Sequence, residues 1–134
     1  GFYPEVLAAY DLLSQEALAN TPYELEYKQA APRPEDWPHF IEKVKVFNKE
    51  NQDWPAEKIS RITAPTLLVV GDSDIVQPEH TIEMFRLLGG GKAGDFTGLP
   101  ASQLAILPGT THMALTSKTD LLLPIITQFL EPTA

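Results

Sequence analysis

The chain contains no cysteine. That removes disulfides, thiolate metal ligands and a cysteine nucleophile together, and leaves the redox compartment open. Basic residues are scarce, with 10 Lys and Arg against 18 Asp and Glu and a formal charge of −8. Without a basic run to neutralise phosphates, neither nucleic acid nor an anionic membrane is an expected partner. No stretch approaches the roughly 20 apolar residues of a membrane-spanning helix. The first apolar segment lacks the basic flank of a secretory leader and contains Glu5 and Asp11, so a cytoplasmic protein is expected. Phosphate-binding loops are missing too, because the glycines at 89–91 follow a helical pattern instead of opening one. The pair Asp72 and Asp74 is too slight to specify a metal site, and neither a metal nor a cofactor is expected.

What is present suffices for one ordinary core: 134 residues, 43% of them hydrophobic. Two textures divide the chain, a helical segment over residues 1–54 and a strand–helix–strand–helix segment over residues 55–134. In the first, Pro4 opens a helix whose Val6, Leu7, Tyr10, Leu13 and Ala17 share a face. A shorter helix follows Pro22 and stops before Pro32 and Pro34. A third spans about residues 34–50, with Trp37, Phe40, Ile41, Val44 and Phe47 on one side and Glu42, Lys43 and Lys45 on the other.

From Ile62 the period changes. Thr66 to Val70 is a compact apolar run between Pro65 and Gly71, predicting a strand buried on both faces. Pro78 and Glu79 open a helix through Leu88, and a Gly-rich loop covers 89–102. Leu104 to Leu107 predicts a second strand, and a last helix follows from about Lys118 to Leu130, kinked or delayed by Pro124. The fold class is therefore α/β, with two short parallel strands, flanking helices and a helical segment in front. Two such strands alone leave edges unpaired and faces uncovered, which predicts one end of a larger sheet.

Two side chains stand where such a sheet places its chemistry. Asp74 follows the first strand and His112 the second, after Gly109, Thr110 and Thr111, which read as a flexible turn. A carboxylate can hold one imidazole nitrogen protonated so that the other accepts a proton from a nucleophile. Asp72 reads as a turn residue, while His39 and His80 lack a comparable setting.

The stretch Ile62-Thr63-Ala64-Pro65-Thr66-Leu67-Leu68-Val69-Val70-Gly71-Asp72-Ser73-Asp74, followed by Leu107-Pro108-Gly109-Thr110-Thr111-His112 and a terminal apolar helix, resembles the C-terminal part of an α/β-hydrolase. The resemblance is specific over residues 59–130 and looser over the first 54. It implies a triad ordered nucleophile, acid, histidine, with Asp74 as the acid and His112 as the base. Pro32-Arg33-Pro34-Glu35-Asp36-Trp37 then looks like the end of a cap, and Trp37 and Phe40 become candidate substrate contacts. The family's nucleophile sits on a Gly-x-Ser-x-Gly elbow, and no such pentapeptide occurs here. A complete member runs to roughly twice this length or a little less.

The expectation is thus a C-terminal fragment of a serine-type, esterase-like hydrolase. It would be nearly inactive without an N-terminal half that brings the nucleophile to an ester-like small-molecule substrate. Two alternatives stand beside it. One is a non-catalytic remnant that pairs with a second copy of itself through a strand edge or a helix swap. The other uses Ser73, because Gly71-Asp72-Ser73 resembles the motif of GDSL-type esterases. That motif stands near the N-terminus with an Asp-x-x-His pair far downstream, whereas 70 residues precede Gly71 and position 109 is Gly.

Overall fold

A computed structural model describes residues 1–50 and 54–131 as a mixed α/β arrangement. Among the described residues there are seven α-helices and two parallel strands. The chain divides into two units, Phe2–Asp53 and Trp54–Ala134, the latter also taking in Gly1. No helix among the described residues is long and apolar enough to cross a membrane.

Prolines set the helices of the first unit. Pro4 opens α1 (Pro4–Asp11), Pro22 opens α2 (Pro22–Ala30), and Pro38 lies in the first turn of α3 (Trp37–Lys49). A proline there sacrifices an N–H that has no helical partner anyway and presets φ for the helix. The expectation of one helix reaching Ala17 is corrected, since α1 stops at Asp11. Leu12 and Leu13 donate back to Ala9 and Tyr10 in tight three-residue steps, and Ser14 Oγ then takes the amide of Ala17 at 3.1 Å. A serine hydroxyl that satisfies a local amide competes with helix continuation. Farther on, Asn20 adopts a left-handed φ of 60°. Its amide donates to Glu24 Oε2 at 2.7 Å, while Lys28 pairs with Oε1 at 2.9 Å. These contacts, the Asn20 amide first, hold the Glu24 carboxyl below its usual range.

The core of this unit lies on α3. Trp37 and Ile41 are buried one turn apart, and the ring of Tyr27 from α2 packs against Trp37 at 5.1 Å and Phe40 at 4.9 Å. The expected helix from residue 34 is instead a 3₁₀ turn, Pro34–Asp36, leading into α3.

The second unit begins with a short helix that the sequence reading did not anticipate, α4 (Ala56–Ser60), which buries Ile59. Then come β1 (Leu67–Ser73), α5 (Pro78–Leu87), α6 (Gly94–Thr97), β2 (Gln103–Thr111) and α7 (Thr119–Leu130). The crossover through α5 and α6 is fastened where Ser102 Oγ donates to Leu88 O at 2.8 Å. Both strands are longer than expected. β1 continues through Asp72, and β2 takes in Pro108, Gly109 and Thr110, so the expected turn before His112 is strand. The Gly-rich connection contains α6, and α7 starts at Thr119 and runs through Pro124 without a late start.

Two-sided burial of the strands is not met. Leu67 to Val70 are half-buried, and in the two strands only Gly71, Leu107 and Thr110 are buried. α5 packs on β1, and a sheet of two strands with that cover leaves its apolar run half-buried. α7 carries the same signature, with Leu121, Leu123, Ile126 and Leu130 exposed and no residue buried.

Candidate active site

The C-terminal ends of the strands are where parallel sheets collect function, and here the register breaks. β1 and β2 pair regularly from Leu67 with Gln103 to Gly71 with Leu107, and the next pair is Ser73 with Thr111. β1 crosses the gap with Asp72 alone, whereas β2 uses Pro108, Gly109 and Thr110. The bulge is a packed feature. Thr110 is completely buried, and its hydroxyl donates to Pro108 O at 2.9 Å. Gly71 makes room for it, because a Cβ at that position would lie 1.9 Å from Thr110 O. Gly109 supplies the positive φ, 56°, that the bulge demands.

Asp72 is held against this bulge. Its Oδ2 accepts the amide of Gly109 at 2.9 Å and its Oδ1 the amide of Thr110 at 3.1 Å. Those two amides, Gly109 first, hold its carboxyl below the ordinary range. The reading of Asp72 as a turn residue is thereby corrected: it is a strand residue that bonds across the sheet.

Asp74 follows the end of β1, with its side chain 4% exposed. Oδ1 accepts the amide of Val76 at 3.2 Å, Oδ2 approaches the amide of Gly71 at 3.4 Å, and Oδ1 lies 3.0 Å from His112 Nδ1. Burial pushes the carboxyl up, but the Val76 and Gly71 amides and then His112 outweigh it and leave it below its ordinary value. Asp74 therefore stays charged through the neutral range. It does not cap α5, whose first turn follows Gln77 without a side-chain cap.

His112 is the first residue past β2, and its side chain is 49% exposed. With Nδ1 as donor to Asp74, Nε2 is left as a proton acceptor on a ring that solvent or a ligand can reach. Among the described residues it is the only histidine paired with a carboxylate. His39 and His80 sit on α3 and α5. Ser73 is exposed, and its hydroxyl donates to Asp72 Oδ1 at 3.3 Å rather than to the imidazole. Among the described residues, no three His, Asp or Glu side chains gather as a metal site would require.

Trp37 and Phe40 lie together in the first unit, their rings stacked 5.9 Å apart. With Tyr10, Tyr27, Ile41 and Val44 they line an apolar hollow of about 610 Å³. Trp37 is buried, its indole N–H without a hydrogen-bond partner, and Phe40 is 43% exposed. The sequence reading missed the carboxylate of Asp72, whose partners, the amides of Gly109 and Thr110, lie 37 and 38 residues away in sequence.

No family model, curated protein or solved structure matches this chain.

Proposed function

We propose that the chain is the C-terminal part of a serine-type α/β-hydrolase, supplying the acid, Asp74, and the general base, His112. The reading rests on one observation, the 3.0 Å contact between His112 Nδ1 and a buried, charged Asp74 at the ends of adjacent parallel strands. A nucleophile-bearing N-terminal half, on the same or another polypeptide, completes the site. Its serine hydroxyl attacks the carbonyl of an ester-like small molecule while His112 Nε2 takes the proton and Asp74 stabilises the imidazolium. His112 then returns the proton to the leaving alcohol, and water, deprotonated by the same nitrogen, releases the acid. Trp37 and Phe40 belong to the substrate-contacting cap in this reading, and the cytoplasm is its compartment.

The sequence holds no Gly-x-Ser-x-Gly elbow, and the lack of a nucleophile costs orders of magnitude in rate. The test is fluorophosphonate labelling of the complex that the tagged chain forms in its native extract. Labelling of a co-purified partner serine, abolished by His112→Ala in the tagged chain, is expected. Labelling of Ser73 would move the reading to a GDSL-type esterase. A self-paired dimer that stays unlabelled would move it to a non-catalytic remnant. The two outer strand edges support that last reading, since among the described residues each strand pairs only with the other.

A further inference from the structure

We propose that Asp72 is a positioning residue that sets His112 against Asp74 by gripping the strand that carries the histidine. The inference rests on the hydrolase reading for what the positioned imidazole does, and on geometry for the positioning itself. His112 has one bond back to Asp74 and is otherwise half exposed, so its place depends on where β2 ends. That end lies beyond a break in register, with the single pair Ser73 and Thr111 between the bulge and the histidine. Across the bulge itself, where the two strands are out of step, the Asp72 carboxylate takes the amides of Gly109 and Thr110, residues 37 and 38 positions away in sequence. Thr110 stands two residues before His112 and Asp72 two before Asp74, so the grip joins the two arms of the pair one step behind it. The opening left by Gly71 seats Thr110 under the same grip.

Asp72 reaches neither the imidazole nor a reacting atom, so its effect passes through the backbone. A carboxylate suits this place better than its amide, because two converging N–H donors need two acceptor oxygens. Asp72→Asn keeps the shape but presents an NH₂ to one of the donors.

The test is the tautomer of His112, read by nitrogen chemical shifts at about pH 8, where an ordinary imidazole is neutral. The unaltered chain should show a single Nδ1–H form. Asp72→Asn should show a mixture, together with faster hydrogen exchange at Gly109 and Thr110 and an unchanged far-UV spectrum. If Asp72→Asn loses the fold, Asp72→Ser, which keeps one acceptor, carries the same readout. In the complex with the nucleophile-bearing half, kcat should fall by about 10²-fold with KM unchanged. A single Nδ1–H form that persists while both amides exchange faster would overturn the proposal and leave Asp72 a structural tie. The tautomer needs no nucleophile, so absent labelling in the extract sinks the hydrolase reading without touching this one.

Discussion

The tip of the sheet and its flank are finished to different degrees. At the tip, Thr110 is fully buried, Asp72 and Asp74 have their oxygens occupied by backbone amides, and His112 has a partner. On the flank, α7 turns Leu121, Leu123, Ile126 and Leu130 to solvent and buries nothing. The contrast separates two kinds of stability. Hydrogen-bonded turns need only neighbouring residues and one strand register, whereas apolar burial needs another layer. The tip is complete with what these residues hold, and the flank is not. Leu123, Ile126 and Leu130 share one side of α7, and exposed apolar residues on one side of a helix fit the missing half proposed above.

Substituting Gly71 by Ala should have the largest effect on this contrast. The added methyl would collide with backbone, Thr110 O, which has no rotamer to escape into. A loss of about 3 kcal/mol in denaturant unfolding is expected. A loss near zero would mean that the tip tolerates repacking like the flank.

Acid should act next, and on the tip rather than on the flank. Asp72 and Asp74 both have carboxyls lowered in the folded chain. The unfolded chain therefore takes up protons first as pH falls. Their contribution is fully present above the unfolded value of about 3.9 and is lost as pH drops through the lower folded values. The thermal midpoint should thus fall below about pH 4, and Asp72→Asn should make that fall shallower. An equally steep fall in the variant would place the sensitivity elsewhere.

The smallest effect is expected on the flank. Leu123 is 62% exposed, so Leu123→Gln should change the stability of the chain by no more than about 0.5 kcal/mol. On the hydrolase proposal, the same variant should weaken capture of the proposed nucleophile-bearing half. A large stability loss would show α7 to be packed after all.

The sequence was legible where structure is local. Leu67 to Val70 between Pro65 and Gly71 gave a strand, and Pro22 and Pro78 marked helix starts that the structure keeps. Asp74 and His112 were named from their places after the strands, and the structure brings them together. The rest depended on remote partners. Gly109, Thr110 and Thr111 read as a flexible turn, yet they lie in strand, where Asp72, 37 residues before Gly109, takes its amide. Burial of both strand faces failed for a related reason, because periodicity reports the cover a strand wants and not what is there.

The break in register also imposes a rule of parity. Side chains alternate faces along a strand, so a slip by one residue turns everything beyond it over. Between the pairs Gly71–Leu107 and Ser73–Thr111, each strand advances by an even number of residues. Thr111 therefore keeps the face that matches Ser73, and Asp74 and His112, each one residue farther on, emerge on a common side. Removing Gly109 alone would take away both the positive φ by which β2 passes the bulge and the amide that Asp72 Oδ2 accepts, with every atom of the acid and the base still present.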